Sequence, residues 1–280
     1  MSADPQVAID AREFRQSGMQ IPLPRIVTTS WDDADFSDLR IADLLYSRRL
    51  SGTFYTPITG HHGPRAMGRQ DLVDLQRAGF EIGAHGLSHL VLPQCDRRQL
   101  TREVEYCKAH LEQMLGEPVR MFAYPRGRYT GMTIRSVKRA GYLGARTTQM
   151  LAQGFCFDPF RMPTTVHVYP HSLSDYVRNS VRAAAFGGAW KYLKQLRQAG
   201  SWVALAKALF NLTLQEGGIW HLYGHSWEVA ELSLWDDLEE VLDYVSGREG
   251  VQYLSNGATI GSLPASRDSL RWKDVCSAEK

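Results

Sequence analysis

Short apolar runs alternate with amphipathic stretches of about ten to fifteen residues along most of the chain, and this alternation limits the fold more than any other feature. RIVTTSWDD, from Arg25 to Asp33, reads as a strand that ends in acids, and 36–50 follows with helical spacing. The pattern then repeats. GTFYTPI begins at Gly52, a helix is predicted from Gln70 to Ala78, and FEIGAH reads as a strand ending at His85. A helix from about Arg98 to Leu115, the strand VRMFAYP, and a helix from Met132 to Ala140 closed by Gly141 come next. LGARTT and RMPTTVHV read as extended, 175–214 as long and helical, GGIWHLYGHS as a strand, and Leu234 to Val245 as a helix before the final VQYLSNGATI.

Strands that alternate with helices lie parallel and are joined by crossovers, in an open doubly wound sheet or a closed barrel. The polar clusters choose between them. Asp32 and Asp33, His85, Tyr124 to Arg126, and His225 each fall at the C-terminal end of a predicted strand. A barrel brings all such ends to one mouth, so the expected fold is an α/β chain forming an irregular (β/α) barrel. The organisation read from the sequence is a leader over 1–24, one barrel domain over 25–265 with the helical segment 175–214 inside it, and a tail over 266–280.

Composition narrows the partners. With 280 residues and 44% hydrophobic side chains, the chain can bury a large core. A net charge of +2 gives no electrostatic reason to expect nucleic acid. The four cysteines, Cys95, Cys107, Cys156 and Cys276, form no Cys-x-x-Cys pair, so reduced thiols are expected rather than a disulfide framework or a thiolate zinc site. The N-terminal MSADPQVAIDAREFRQSG lacks the apolar core of a secretory signal, and no apolar run approaches membrane-spanning length. A soluble, cytoplasmic protein is the expectation.

Three histidine pairs stand four residues apart: His85 with His89, His167 with His171, and His221 with His225. On an extended strand four residues span roughly 13 Å, so two such rings meet one metal only where the backbone coils. His221 and His225 lie in the strand-like IWHLYGH, which leaves His225 alone at the mouth. Pro170 pushes Tyr169 toward extended geometry, so His167 and His171 read as ordinary histidines. HGLSH follows a strand and contains a glycine where the chain must turn, so His85 and His89 are the pair expected to reach one ion.

A catalytic zinc-like ion typically takes three protein ligands and a water, which calls for a carboxylate. Adjacent side chains at a strand end point in different directions, so one of Asp32 and Asp33 can bind metal while the other stands beside the water. Helix capping is the alternative role, but Asp35 and Asp38 already supply it. Trp31, Trp227 and Tyr129 are aromatics of the kind that fill cores or rims, although their flat faces also suit a sugar ring.

These motifs, in this order, resemble those of the NodB-type polysaccharide deacetylases, carbohydrate esterase family four. TTSWDDAD is similar to the family's Thr-Phe-Asp-Asp-Gly, which implies a general base at Asp32 and a metal ligand at Asp33. HGLSH is similar to His-Ser/Thr-x-x-His and implies His85 and His89 as the other ligands. AYPRGRY looks like the Arg-x-Pro-Tyr-Gly segment that lines the groove; it implies substrate contacts at Tyr124, Pro125, Arg126 and Tyr129, with the Arg126 backbone N–H on the oxyanion. HLYGHSWE resembles the Leu-x-His motif and implies a general acid at His225, with Trp227 beside the substrate. The chain departs from the pattern at Ala34, which replaces the glycine, at Ser88, which sits late, and at Ala123, where the family arginine braces the base. Arg126 and Arg128 are the candidate replacements. Asp158 and Arg161 occupy the interval of the family's fourth motif without matching it.

The resemblance implies a NodB-type barrel and a hydrolase that removes the N-acetyl group from an amino sugar, on a divalent ion with zinc first and cobalt, nickel or iron as alternatives. A cytoplasmic chain would act on a precursor of a surface polysaccharide, carried on a nucleotide or a lipid. The basic, amphipathic 175–214 segment is expected to be ordinary barrel helix, with a membrane-facing lid as the less favoured reading. Two rival functions are an allantoinase-like amidohydrolase on the same fold and a non-catalytic sugar-binding protein. The oligomeric state is not legible in the sequence.

Overall fold

A computed structural model of the protein describes residues 23–60, 65–182 and 192–263. Most of the expected leader, the 266–280 tail, Trp190 and Lys191 lie outside the described residues. Eight strands form one sheet: β1 (Arg25–Asp32), β2 (Thr53–Thr56), β3 (Glu81–Ala84), β4 (Met121–Ala123), β5 (Gly144–Arg146), β6 (Val166–His167), β7 (Gly218–Gly224) and β8 (Val251–Tyr253). The order is β5-β4-β3-β2-β1-β7-β6, with β8 also pairing β1, and every strand pairing is parallel.

The helices are α1 (Asp38–Ser47), α2 (Arg69–Arg77), α3 (Arg97–Thr101), α4 (Cys107–Leu115), α5 (Gly131–Arg139) and α6 (Leu173–Arg182). They continue with α7 (Leu193–Gln198), α8 (Trp202–Glu216), α9 (Ser226–Glu231), α10 (Trp235–Val245) and α11 (Asn256–Ser262). A π-helical turn, Arg102–Tyr106, joins α3 to α4. Local chemistry sets the boundaries. Thr130, Ser201 and Ser255 each accept the backbone N–H three residues on, capping α5, α8 and α11, and Gly116 ends α4 in a left-handed turn at φ 74°.

β1 is the axis of the sheet. All of it but Arg25 is buried, as a parallel strand covered on both faces should be. Along one edge it pairs with β7 from Arg25 to Trp31; the other edge is shared, β8 taking Arg25–Val27 and β2 taking Ser30–Asp32. The two ends of the strand order approach each other through the loop before β6. Met162 bridges Arg146 at the end of β5, and Thr165 N–H donates to His221 O in β7 at 2.9 Å. The result is a curled, irregular (β/α) barrel. Its C-terminal rim collects the residues that follow β1, β3, β4, β5, β6 and β7.

The described residues of the 175–214 stretch fall in α6, α7 and α8, with residues 199–201 separating α7 from α8. In α8, Trp202, Leu205, Leu209 and Phe210 are buried against the sheet, so that part is core helix. Trp31 is likewise fully buried in the main core. Cys95 and Cys107 are free, buried thiols, but Cys156 is disulfide-bonded. The expectation of reduced thiols therefore fails at Cys156, because cysteine spacing along the chain does not report which sulfurs meet.

Candidate functional site

The end of β1 turns sharply. Asp33 and Ala34 both adopt left-handed backbone, φ 81° and 54°, so Asp32 and Asp33 present their carboxyls to the rim in different directions. Such conformations cost an L-residue roughly 1–2 kcal/mol each, which accounts for the glycine that usually follows these acids. Asp33 is nearly fully buried. Trp227 donates its indole N–H to Asp33 Oδ2 at 3.1 Å, and Oδ1 has no hydrogen-bond partner.

That orphaned oxygen faces two imidazoles. His85 Nε2 lies 3.7 Å and His89 Nε2 3.4 Å from Asp33 Oδ1. One ligand atom from each of the three residues falls within 4.8 Å of the others. His85 Nδ1 sits 2.9 Å from the Ala123 carbonyl, which can only accept, so Nδ1 carries the proton and Nε2 presents its lone pair to the rim. The set fits a divalent cation: two imidazoles and an otherwise uncompensated buried carboxylate oxygen, with room for a water.

HGLSH coils as the glycine implied. Gly86 takes φ 86°, and a Cβ there would meet Glu103 Oε2 at 2.8 Å. Glu103, buried in the π turn, accepts from Ser88 N–H and Ser88 Oγ and from Leu90 N–H at 2.8–3.4 Å. Its carboxylate thus clamps the residues on either side of His89, which itself stands at φ 55°. The late position of Ser88 finds its reason in this clamp.

Asp32 has a partner that the sequence reading missed. Arg146, at the end of β5, directs Nη2 to both carboxylate oxygens, and its guanidinium lies 5.2 Å from the ring centres of Tyr55 and Tyr223. Burial alone would push the Asp32 carboxyl up, but Arg146, His85 and His225 together hold it well below the usual carboxylate range. Neither Arg126 nor Arg128 replaces the family arginine. The brace comes from the next strand, at a fully buried position. The signal was present in LGARTT, where a charged side chain interrupts a buried strand, since arginine is almost never buried unpaired.

Across the rim, His225 stands at the N-terminal end of α9 and its Nδ1 lies 2.6 Å from Glu228 Oε2. Its Nε2 points back toward the acids, 3.9 Å from Asp32 Oδ2 and 3.8 Å from Asp33 Oδ2. Burial opposes the charge on this ring, but the Glu228 bond and the two aspartates outweigh it and push the pKa up to about 9. Glu228 supports the His225 ring, and Asp158 and Arg161, which did not match the family's fourth motif, take no part in that contact. Asp158 instead caps the turn at Phe160, accepting its N–H at 3.0 Å.

Asp32, Asp33, His85, His89 and His225 line one pocket of about 400 Å³, the size of a small-molecule site. Arg126 and Trp227 line it; Tyr124, Pro125 and Tyr129 do not. Tyr124 is fully buried with its hydroxyl on the Phe160 carbonyl, Pro125 is buried, and Tyr129 packs on Tyr124 with ring centres 5.1 Å apart. The histidine pairs also separate. His221 is buried between Ser30 Oγ and the Pro163 carbonyl, at 2.9 Å from each, as a structural residue. His167 and His171 enter the pocket, contrary to expectation, because hydrogen bonds from Tyr169 N–H to His167 O and from His171 N–H to Tyr169 O curl the chain without a helix.

Residues 22–145 match the family model described as Polysaccharide deacetylase. The matched stretch runs from just before β1 into β5 and is similar to a polysaccharide-deacetylase domain. Solved structures with the same fold include the chitin deacetylase of the fungus Colletotrichum lindemuthianum, at 14% identity and TM-score 0.55, covering 86% of this chain and 90% of that one. The Xyl-CE4 domain of a multidomain xylanase from the hindgut metagenome of Trinervitermes trinervoides is similar at 11% identity and TM-score 0.53, over 85% of this chain and 90% of that one. A polysaccharide deacetylase from Bacillus cereus matches at 19% identity and TM-score 0.45, covering 54% of this chain and only 50% of the longer relative. No curated protein matches the sequence.

Proposed function

We propose that this deacetylase-fold chain is a metal-dependent hydrolase that removes the N-acetyl group from an amino sugar. The observation that carries the proposal is the convergence of Asp33, His85 and His89 on one point, with Asp32 and His225 flanking it. Those three residues would hold the ion, zinc being the first candidate for two imidazoles and a carboxylate. When bound, a divalent ion lowers the pKa of a water toward neutrality and polarises a carbonyl.

The remaining steps belong to the chain's own residues. Asp32, kept ionised by Arg146, takes the proton of the attacking water. The Arg126 backbone N–H, at a left-handed residue of φ 55° on the pocket wall, is the donor assigned to the developing oxyanion. His225, protonated at neutral pH, donates to the departing nitrogen through Nε2 while Nδ1 stays bonded to Glu228. Acetate and a free amino sugar result. With a brace present at Asp32, the non-catalytic reading loses the departure that favoured it.

Nucleotide-linked and lipid-linked N-acetyl sugars are the proposed substrates, within a surface-polysaccharide pathway. Among the described residues no helix is long and apolar enough to cross a membrane. A cytoplasmic address is part of the proposal. The test is acetate release across nucleotide-linked and lipid-linked N-acetyl sugars, with metal content measured on the same sample. Fully metallated protein that releases no acetate from either class would refute the reading.

A further inference from the structure

Glu228 does not serve His225 alone. Its Oε2 also lies 3.2 Å from His167 Nε2, and His167 Nδ1 lies 2.8 Å from His171 Nε2. We propose that His167, held in turn by His171, is a positioning residue that locks Glu228 against His225 and so fixes the imidazole that donates the proton. The proposal rests on the reading of His225 as the acid and assigns two residues that no deacetylase motif in this chain includes.

The hydrogen-bond directions follow one from another. A carboxylate only accepts, so His225 Nδ1 and His167 Nε2 both donate to Oε2. Burial pushes His167 down to about 4, so its ring is neutral and its Nδ1 must be an acceptor. His171 Nε2 is then the donor to it. One neutral tautomer of each of the outer rings satisfies the whole chain, with no proton left in conflict.

Packing makes the chain rigid where Glu228 by itself would not be. The glutamate side chain is 17% exposed and stands in the first turn of a short helix, free to turn toward water. His167 is buried and stacked on Tyr223, ring centres 4.2 Å apart and planes 13° from parallel. Tyr223 belongs to β7, the strand that delivers His225, so the clamp and the acid are referred to one rigid element. At the outer end His171 lies against Tyr176 of α6, ring centres 5.5 Å apart, with its Nδ1 3.9 Å from Asp175 Oδ2.

His167, His225 and Glu228 also offer three ligand atoms within 4.8 Å of one another. The 2.6 and 3.2 Å separations are hydrogen-bond lengths with a proton on each nitrogen, and a cation there would have to displace both. The geometry therefore points to a hydrogen-bonded clamp and, among the described residues, to a single ion site at Asp33, His85 and His89.

The test compares the full-length protein with His167→Ala, His167→Gln and His171→Ala. Metal content per chain, kcat and KM for acetate release are measured together with the downfield imidazole N–H resonances in NMR, His225→Ala identifying the signal of His225 Nδ1–H. His167→Ala is expected to keep one metal and an unchanged KM, to lower kcat by roughly 10-fold or more, and to broaden or lose the His225 resonance. His167→Gln, which keeps a donor near Nε2, should recover most of both, and His171→Ala should have a smaller effect in the same direction. Full kcat with an unaltered His225 resonance in His167→Ala would overturn the clamp, as would two metals per wild-type chain falling to one in that variant. If the metallated wild type releases no acetate, the deacetylase reading fails, while the resonance still decides the clamp.

Discussion

Arg146→Met removes the guanidinium that meets both oxygens of Asp32 and leaves a methionine stem between Tyr55 and Tyr223. The Asp32 carboxyl is 4% exposed and Arg146 wholly buried, so water cannot take the cation's place without opening the rim. Breaking a buried pair by deleting one partner costs about 3–5 kcal/mol. His225 remains 3.9 Å from Asp32, which places this case near the lower end, at about 3 kcal/mol. For a domain of this size that corresponds to a fall of roughly 6–12 °C in Tm. Asp32→Asn removes the stranded charge, so the Arg146→Met/Asp32→Asn double variant should be less destabilised than the sum of the single variants by roughly 1–3 kcal/mol. Differential scanning calorimetry on all four proteins closes the cycle, and acetate release by the Arg146→Met protein tests the base role proposed for Asp32. An additive cycle together with undiminished kcat would refute the claim that Arg146 braces Asp32.

Three further expectations separate the roles of the site. Asp32→Asn and His225→Ala should retain bound metal and lose most turnover, whereas His85→Ala should lose the metal; full metal content in the His85 variant would undo the ligand assignment. Glu103→Ala releases the clamp on Ser88 and Leu90 and should weaken metal binding by roughly 10-fold or more in competition with a chromophoric chelator, while equal affinity would reject a bracing role. Burial pushes His221 down to about 3 from its ordinary 6.5, so the folded protein binds one proton fewer than the unfolded chain between those values. Its contribution is present above pH 6.5 and is lost as pH falls toward 3, so His221→Asn should reduce the proton uptake on unfolding at pH 4–6 by about one. An unchanged slope of stability against pH would show that the ring is not held neutral.

Much of the rim was legible because the information is local. A strand ending in two acids, a glycine inside HGLSH, and a histidine at the end of an apolar run each declare their place through backbone periodicity alone, and β1, β3 and β7 deliver Asp32, Asp33, His85, His89 and His225 as expected. Tyr124, Pro125 and Tyr129 lie off the pocket for a physical reason. AYPRGRY marks a strand end, but one residue of rotation decides whether a side chain faces the pocket or the core, and Tyr124 faces the core.

By itself the sequence determined the alternating α/β architecture, the strand ends at which the acids and histidines gather and the coiled spacing that makes His85 and His89 one pair. Tertiary structure alone decided who supports them. Arg146 reaches Asp32 across 114 positions of chain, Glu103 reaches Ser88 across 15, and His167 reaches Glu228 across 61. Motif spacing records what a backbone can do over four residues. Partners of buried charges are selected by which strand ends lie side by side after the sheet has curled, and that depends on strand order and on the burial that makes an unpaired charge intolerable.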